Sequence, residues 1–250
     1  MIAGTHALVT GGGSGVGRAI ALALAEAGIE VTICGRREAA LQAMASERIH
    51  GIVADVTDDL SMAALYTKAE AARGPFDIVV ANAGMSGSAP AHRTLLSDWQ
   101  RTLDVNLTGA FLTVKPALAG MAARKAGRII FVASTAGLKG YAYVAPYVAA
   151  KHGVVGLMRA LAAETAKSGV TINAVCPGFV ETEMLQESVD RIVAKTGRSA
   201  DDARAALAST NPQGRFIEPD EVAAAVLWLC SAGAASITGQ AISISGGETW

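Results

Sequence analysis

The chain has 250 residues, of which 51% are hydrophobic and 17% charged, and its formal net charge is −1. This length suits one domain with a large core. The near-zero charge gives no reason to expect a nucleic acid or an anionic membrane as a partner. The sequence contains no run of about 18 apolar residues, so we expect no membrane-spanning helix.

The cysteines and histidines indicate neither a disulfide framework nor a metal site. Cys34, Cys176 and Cys230 stand apart in apolar runs, which is typical of small core residues in a reducing compartment. The four histidines are scattered and lack the spacing of metal ligands. The N-terminus leads directly into an apolar run, so we predict no signal peptide and a cytoplasmic location.

Short apolar runs alternate with helical patterns along almost the whole chain. Strands are predicted at His6–Thr10, Glu30–Cys34, Ile49–Val53, Asp77–Ala81, Arg128–Ala133, Val170–Val175 and Ala241–Ser245. Helices are predicted at Arg18–Gly28, Glu38–Glu47 and Asp58–Arg73, from Ser97 as an N-cap, and from the Tyr147 region to about Lys167. This alternation indicates an α/β fold with a doubly wound, seven-stranded parallel sheet, in a single domain spanning residues 1–250.

One irregular region interrupts the alternation at about residues 182–216. It mixes apolar side chains, among them Met184 and Leu185, with arginines and lysines, and it follows a strand. Since that strand end is where ligands bind in such sheets, we predict a substrate lid. A surface pair of helices that merely packs there is the alternative.

The first strand ends in a glycine-rich turn that runs from Gly11 to Gly17. A tight glycine turn between a strand and a helix N-terminus lets the backbone approach a pyrophosphate, whose charge the helix dipole favours. The strict G-x-G-x-x-G pattern is absent. The turn therefore predicts a dinucleotide site, with a flexible glycine loop as the alternative.

Small and polar residues also follow the later strands, at the end where ligands of such sheets bind. These residues are Gly35-Arg36-Arg37, Asp55-Val56, Asn82-Ala83-Gly84, Ser134-Thr135-Ala136-Gly137 and the segment Pro177–Thr182.

Tyr147 and Lys151 stand four residues apart at the predicted start of a helix and so share one of its faces. Free tyrosine has a pKa of about 10, which is too high for proton transfer near neutrality. A neighbouring ammonium favours the phenolate, so Lys151 is expected to lower the pKa of Tyr147. The pair thus indicates acid–base chemistry on an alcohol or carbonyl oxygen.

With these motifs placed, the chain resembles the short-chain dehydrogenase/reductase family over essentially its whole length. Within that family it is most similar to the 3-ketoacyl reductases of polyketide and fatty-acid synthesis and to the 3-hydroxybutyrate dehydrogenases. The matching motifs are Thr10-Gly11-x-x-x-Gly15-x-Gly17, Asn82-Ala83-Gly84, Val105-Asn106-Leu107, Ser134, Tyr147-x-x-x-Lys151 and Pro177-Gly178. The resemblance implies a Rossmann fold and oxidation or reduction with a nicotinamide cofactor.

The resemblance also implies a role for each of four residues. Tyr147 would donate or accept the proton, while Lys151 would lower its pKa and hold the nicotinamide ribose. Ser134 would polarise the carbonyl, and Asn106 would anchor a water that relays protons from Lys151. Each role has a simpler rival: Ser134 is also suited to cap the segment that follows it, and Asn106 to bend a helix.

The substrate pocket is less clearly marked. Tyr141 and Tyr143 compete with Tyr147 as the acid, but neither has a lysine four residues later. We therefore assign both to the pocket or to packing. The pocket residues predicted in this way are Thr135, Tyr141, Tyr143, Phe179, Met184 and Leu185.

For the cofactor, the residues that end the second strand favour NADP. An acidic residue at this position would bind the ribose hydroxyls of NAD. The position is instead occupied by Gly35, which Arg36 follows. The paired N–H donors of the Arg36 guanidinium match the geometry of a phosphate. NAD remains the alternative, with the arginines solvated. The resemblance implies a cofactor site made of Gly11, Ser14, Gly15, Val16, Gly17, Arg36, Asp55, Val56, Asn82, Ala83, Gly84, Tyr147, Lys151, Pro177, Gly178, Val180 and Thr182.

The leading functional hypothesis is reduction of a 3-oxoacyl thioester or related ketone. The alternatives are oxidation of a 3-hydroxy acid or secondary alcohol, and a dinucleotide sensor without turnover. If the substrate is carried by coenzyme A or an acyl carrier protein, basic residues at the mouth of the site should contact the carrier. The candidates are Arg124, Lys125, Arg128 and Lys167.

The resemblance also implies a homotetramer, formed through the long helices and the last strand. The predicted last strand and Val222–Leu229 are apolar, as such contacts require. Trp250 at the end of the chain is suited to insert into a neighbouring subunit.

Overall fold

In the computed structural model, which describes residues 2–250, seven strands form a single parallel sheet. The strands are β1 (His6–Thr10), β2 (Glu30–Gly35), β3 (Ile49–Val53), β4 (Ile78–Ala81), β5 (Gly127–Val132), β6 (Val170–Pro177) and β7 (Ala241–Ile244). Their order across the sheet is β3-β2-β1-β4-β5-β6-β7, and every neighbouring pair is parallel. This is the predicted doubly wound Rossmann fold.

Helices connect the strands and cover both faces of the sheet. They are α1 (Gly15–Glu26), α2 (Glu38–Gln42), α3 (Asp59–Arg73), α4 (Leu96–Leu103), α5 (Gly109–Arg124), α6 (Ala145–Thr165), α7 (Glu183–Thr196), α8 (Ala200–Ala208) and α9 (Pro219–Cys230). Among the described residues, no helix is both long and apolar enough to cross a membrane.

The buried strands divide their side chains between two cores, because successive residues of a strand point to opposite faces. Leu8 and Phe131 belong to the core on one face, whereas Val9 and Ile130 belong to the core on the other. A sheet covered on both faces needs continuous apolar strands, and β1 and β5 are buried at every position. The predicted burial of the three cysteines is confirmed, and each is a free thiol.

The helix predictions were accurate for the long segments and less accurate at their ends. The helix predicted over Glu38–Glu47 stops at Gln42. Ser97 is not an N-cap, since the helix begins at Leu96 and the extended residue before it takes the cap position. Asp58 caps α3 instead of starting it, because its carboxylate accepts a hydrogen bond of 3.0 Å from the Leu60 amide.

The order of the strands fixes the location of the site. The chain moves outward from β1 to β2 and β3, then returns to place β4 on the other side of β1. The loops after β1 and β4 consequently leave the sheet in opposite directions and open a crevice between them, where ligands of doubly wound folds bind. The glycine turn follows β1, and Asn82 follows β4.

Candidate active site

The glycine turn after β1 requires its glycines for two separate reasons. Gly11 and Gly15 have φ angles of 67° and 51°, in the left-handed region that side chains disfavour. Gly17 has no room for a side chain, since a Cβ there would collide with Asn82 Nδ2 and the Gly11 carbonyl oxygen. The absence of a side chain at Gly17 allows the first turn of α1 to lie close to the end of β1.

The N-terminus of α1 is open to an anion. Its first turn contains no acidic residue, and the hydroxyl of the N-cap Ser14 does not cap the helix within the described chain. Instead, Ser14 Oγ accepts a hydrogen bond of 3.0 Å from the Arg37 guanidinium. The amides of the first turn, the helix dipole and an arginine therefore create positive potential in one place, which suits a pyrophosphate.

Asn82 holds the two sides of the crevice together. Its Nδ2 donates to the Thr10 carbonyl at 2.8 Å. The backbone amides of Asn82 and Ala83 each donate to the Thr10 hydroxyl at 3.1 Å. The structure therefore brings the predicted Asn82-Ala83-Gly84 motif to the glycine turn, where its contacts fix the ends of β1 and β4 relative to each other.

The segment after β6 forms the opposite wall. The Gly178 amide donates to the Ile244 carbonyl at 3.0 Å, and Val180 forms a bridge with Ile217. A Cβ on Gly15 would lie 3.3 Å from Thr182 Cγ2, so the segment reaches back to the glycine turn. The predicted cofactor residues at 11–17 and 177–182 thus border one groove.

The outer end of this groove has the features expected for an adenosine phosphate. Among the described residues, the atom nearest to a Cβ placed on Gly35 is Leu41 Cδ2, at 3.9 Å. The packing does not require glycine here, so Gly35 leaves space for a ligand. Hydrogen bonding from the Thr57 amide lowers the pKa of the Asp55 carboxyl, and nearby Arg36 lowers it further. The space, the arginines and the open helix end fit a dinucleotide.

Tyr147 and Lys151 meet at the inner end, in the first turns of α6. The Lys151 Nζ lies 5.6 Å from the centre of the Tyr147 ring and donates to the Val132 carbonyl at 2.8 Å. Lys151 is only 4% exposed, and burial lowers its pKa to about 8. The amine therefore titrates close to physiological pH.

The pKa of Tyr147 changes in the direction opposite to the prediction. Its ring keeps some exposure, but its hydroxyl is enclosed by protein, and this burial raises the pKa to about 12. A hydrogen-bonding interaction with Ser134 acts in the opposite sense without overcoming it. The lowering that was expected from Lys151 is therefore not found.

Ser134 lies beside Tyr147, as its predicted catalytic role requires, and it also caps the segment that follows it. Its Oγ accepts a hydrogen bond of 3.1 Å from the Ala136 amide and so caps the short 3₁₀ turn Thr135–Gly137. The same hydroxyl interacts with Tyr147. The cap fixes the serine side chain in an orientation that keeps it beside the tyrosine.

Asn106 lies in a π-helical turn, Asp104–Thr108, between α4 and α5. Its buried side chain donates to the carbonyls of Met85 and Thr102, both at 2.9 Å, and accepts from the Met85 amide at 3.2 Å. A Cβ on Gly84 would lie 2.9 Å from Asn106 Oδ1 and 3.8 Å from Lys151 Nζ. Asn106 therefore lies where the regular helix is interrupted, as expected of a helix-bending residue. Its side chain also lies near Lys151.

Four residues beside the site form a network that we call the tail cluster: Thr135, Lys139, Tyr141 and Glu248. The Tyr141 hydroxyl lies 2.6 Å from both Thr135 Oγ1 and Glu248 Oε1. Lys139 pairs with Glu248 at 3.0 Å. The sequence prediction included Thr135 and Tyr141 but missed Lys139 and Glu248, because only folding brings the last residues of the chain to this loop.

The remaining predicted pocket residues differ in their contacts and exposure. Phe179 packs edge-on against Tyr141, with ring centres 6.4 Å apart. Tyr143 and Met184 are exposed, whereas Leu185 is buried. In the predicted lid, which folds as α7 and α8, Lys195 donates to the Ser88 carbonyl at 2.8 Å, so the lid contacts the loop that follows β4.

The four basic residues predicted to contact a carrier do not lie at the mouth of the site. Arg128 is buried and pairs with Ile78, the first residue of β4. Arg124 donates to the Phe76 carbonyl at 2.8 Å, just before that strand. Lys125 ends α5 ahead of β5, and Lys167 follows α6 ahead of β6. All four are therefore at the amino ends of the strands, opposite the active site, and the prediction was wrong.

Comparison with known proteins agrees with this geometry. The family model for short chain dehydrogenases matches residues 5–192. The chain belongs to the short-chain dehydrogenase family. It is an oxidoreductase of the type that acts on ketone and alcohol groups with a nicotinamide cofactor.

Individual relatives match along almost their full length. A protein assigned as ketoacyl reductase 1 of the granaticin polyketide synthase, from Streptomyces violaceoruber, is 41% identical over 96% of this chain and 92% of its own. D-beta-hydroxybutyrate dehydrogenase of Cupriavidus necator is 38% identical over 99% and 98% of the two chains. Among solved structures, a single-substitution variant of the actinorhodin polyketide ketoreductase with NADPH matches with a TM-score of 0.94, at 38% identity over 98% and 97% of the chains.

Proposed function

We propose that this short-chain dehydrogenase reduces a ketone, with NADPH as the preferred cofactor, and that Tyr147 delivers the proton. The observation that carries the proposal is the meeting of Tyr147, Ser134 and Lys151 at the inner end of the groove that begins at the glycine turn. A proton donor, a second hydroxyl and an amine at the end of a dinucleotide groove are what carbonyl reduction requires.

The chain's own residues perform the binding and proton steps. Hydride is what the nicotinamide supplies when bound. As negative charge develops on the carbonyl oxygen, the hydroxyls of Ser134 and Tyr147 stabilise it by hydrogen bonding. Tyr147 gives its proton to this alkoxide oxygen, which completes the alcohol and leaves Tyr147 as a phenolate. The Lys151 ammonium, near the tyrosine ring, favours the phenolate that remains.

The preference for NADP rests on the arginines at the outer end of the groove. Arg36 is exposed and lowers the pKa of Asp55, while Arg37 bonds Ser14 at the glycine turn. The two arginines follow Gly35 directly in the chain, and each guanidinium has the donor geometry for a phosphate. The actinorhodin ketoreductase structure, which contains NADPH, supports this assignment.

For the substrate class we propose a 3-oxoacyl thioester or related ketone. The similarity to ketoacyl reductases supports reduction, whereas the similarity to a hydroxybutyrate dehydrogenase supports the second candidate, oxidation of a 3-hydroxy acid. We further propose that α7 and α8 act as a lid and that the chain forms a homotetramer, with the exposed Trp250 reaching a neighbouring subunit.

The test is consumption of NADPH and of NADH by the wild type and by Tyr147→Phe, with short 3-oxoacyl thioesters, bulky aryl ketones and cyclic ketones. We expect turnover of at least one ketone class, faster with NADPH, and its loss in the variant. Tight cofactor binding by the wild type without turnover of any ketone would contradict the proposal and favour a dinucleotide sensor.

A further inference from the structure

The C-terminal Glu248 is an unusually placed carboxylate. Its side chain is only 2% exposed, although it is the third residue from the end of the chain. One oxygen, Oε1, receives both of its donors: the Tyr141 hydroxyl at 2.6 Å and the Lys139 ammonium at 3.0 Å. The tail is therefore held to the loop that follows β5.

The second oxygen of this carboxylate has no hydrogen-bond partner among residues 2–250 and is buried. A Cβ on Gly178 would lie 3.2 Å from it, so Oε2 is directed at the segment that follows β6. Burying a charged oxygen without a donor is costly, and no contact among residues 2–250 offsets this cost at Oε2. This cost points to a functional reason for the carboxylate.

The tail cluster lies in the wall of the cleft. Thr135 follows Ser134 directly. Burial raises the pKa of Tyr141, and Tyr147 is near enough to add to this effect. Gly178 begins the segment that borders the cofactor groove. Glu248 is thus linked through Tyr141 and Thr135 to the neighbourhood of Tyr147 and Ser134, the two residues that would hold a ketone.

We propose that Glu248 determines which substrate charge the site accepts: neutral ketones, esters and thioesters are reduced, and free 3-oxo acid anions are rejected. This inference rests on the proposed function and narrows its substrate class. Glu248 acts by pairing with Lys139, the cation of the cluster, so that no uncompensated positive charge remains there for a substrate carboxylate. A substrate carboxylate would therefore lose part of its hydration on binding without gaining a cation, which is unfavourable.

The experiment compares kcat/KM for acetoacetate, an anion, with that for ethyl acetoacetate, its neutral ester, using NADPH. The wild type should prefer the ester. In Glu248→Gln, which removes the charge and releases Lys139, kcat/KM for acetoacetate should rise by about tenfold or more, while the value for the ester changes by less than about threefold. The double variant Glu248→Gln/Lys139→Met should lose this gain.

Two further variants complete the test. Lys139→Met alone leaves the carboxylate without its cation, so discrimination against acetoacetate should increase; this keeps the inference testable if Glu248→Gln does not fold. Asp59→Asn is the matched control, because it removes a carboxylate from an exposed pair with Lys115 at 3.1 Å, and the ratio of the two substrates should not change.

The possible results distinguish a failure of this inference from a failure of the proposed function. The role of Glu248 would be overturned if the ester is reduced rapidly and the ratio of kcat/KM for the two substrates is unchanged in both Glu248→Gln and Lys139→Met. The proposed function would remain intact in that case. If the wild type reduces acetoacetate faster than the ester, the charge selection is likewise refuted. A wild type that reduces neither compound nor any other ketone would overturn the proposed function, and the inference with it.

Discussion

Two tyrosine–lysine arrangements lie side by side at the carboxyl edge of the sheet, and only one of them is suited to transfer a proton. Tyr147 and Lys151 share a helix face, with the amine 5.6 Å from the ring. Tyr141 and Lys139 lie in a loop and are joined through the carboxylate of Glu248. Both sites contain a phenol and a lysine, so the third partner makes the difference.

The third partners have opposite effects on the two phenols. Burial raises the pKa of both tyrosines. The hydrogen bond with Ser134 lowers the pKa of Tyr147, whereas the hydrogen bond to Glu248 raises that of Tyr141 further. A phenol that donates to a carboxylate is held in its protonated form. Tyr141 is thus a fixed donor, and Tyr147 is the phenol that is able to release its proton to a substrate.

The largest expected effect separates the two tyrosines. Tyr147→Phe should lower kcat by about 10³-fold, because general acid catalysis of this kind contributes 10²- to 10⁴-fold. Tyr141→Phe should lower it by less than about tenfold, since only a supporting hydrogen bond is lost. Steady-state rates with a neutral ketone, together with cofactor binding by fluorescence, give the measurement. Equal decreases of kcat in the two variants would contradict the assignment of Tyr147, and not Tyr141, as the proton donor.

A second prediction concerns the stability of the Lys151 site. Its pKa of about 8 in the folded chain lies below the value of about 10.4 expected after unfolding. Burial of the amine therefore costs stability, and this cost is complete below about pH 8, where both states are protonated. Between the two values the unfolded state binds more protons, so stability rises with pH until the cost is gone above about pH 10.4.

Lys151→Met removes this dependence. The free energy of unfolding of the wild type, relative to the variant, should therefore increase by up to about 3 kcal/mol between pH 8 and pH 10.4. Urea denaturation at a series of pH values measures it. A difference between the two proteins that stays constant with pH would show that the buried amine does not titrate in this window.

The hydroxyls of the consecutive residues Ser134 and Thr135 are divided between the two tyrosines. Ser134→Ala should lower kcat by about 10²-fold, as the loss of one donor to a developing oxyanion does. Thr135→Val removes the partner of Tyr141 and should change kcat by less than about tenfold. If the valine variant is the more damaged of the two, the substrate oxygen is bound on the Tyr141 side.

The smallest effect is expected at the tail. A chain ending at Gly247 lacks Glu248, Thr249 and Trp250, whereas Trp250→Ala keeps the first two. The truncated chain should be less stable than the alanine variant by about 2 kcal/mol, because it loses the hydrogen bonds of both Glu248 and Thr249. Thermal unfolding measures this difference, and light scattering of the same samples tests whether Trp250 supports assembly. Equal melting temperatures would mean that Glu248 does not stabilise the tail.

Much of the fold was predictable because its determinants are local. Apolar runs such as His6–Thr10 and Ile49–Val53 have the bounds of the strands that form, and Tyr147 and Lys151 meet because a helix places every fourth residue on one face. The glycine turn was predictable for the same reason, since the positive φ angles at Gly11 and Gly15 are adopted most readily by glycine.

The remainder depends on contacts between distant segments or on burial, neither of which a local pattern shows. Glu248 reaches Tyr141 across more than 100 positions of the sequence. The amino-edge location of Arg128 follows from its register with Ile78, and the raised pKa of Tyr147 follows from enclosure by the folded chain. The spacing of the residues predicted that Tyr147 and Lys151 meet. It did not predict that burial has a larger effect on the pKa of Tyr147 than its polar neighbours have.

The most direct test of the account is a crystal structure of the complex with NADP⁺ and an unreactive alcohol or ketone analogue. We expect the substrate oxygen within about 3 Å of both the Tyr147 and Ser134 hydroxyls, with Tyr141 still hydrogen-bonded to Glu248. A substrate oxygen bound instead to Tyr141 or Thr135, with Tyr147 turned away from it, would contradict the central claim that Tyr147 is the proton donor.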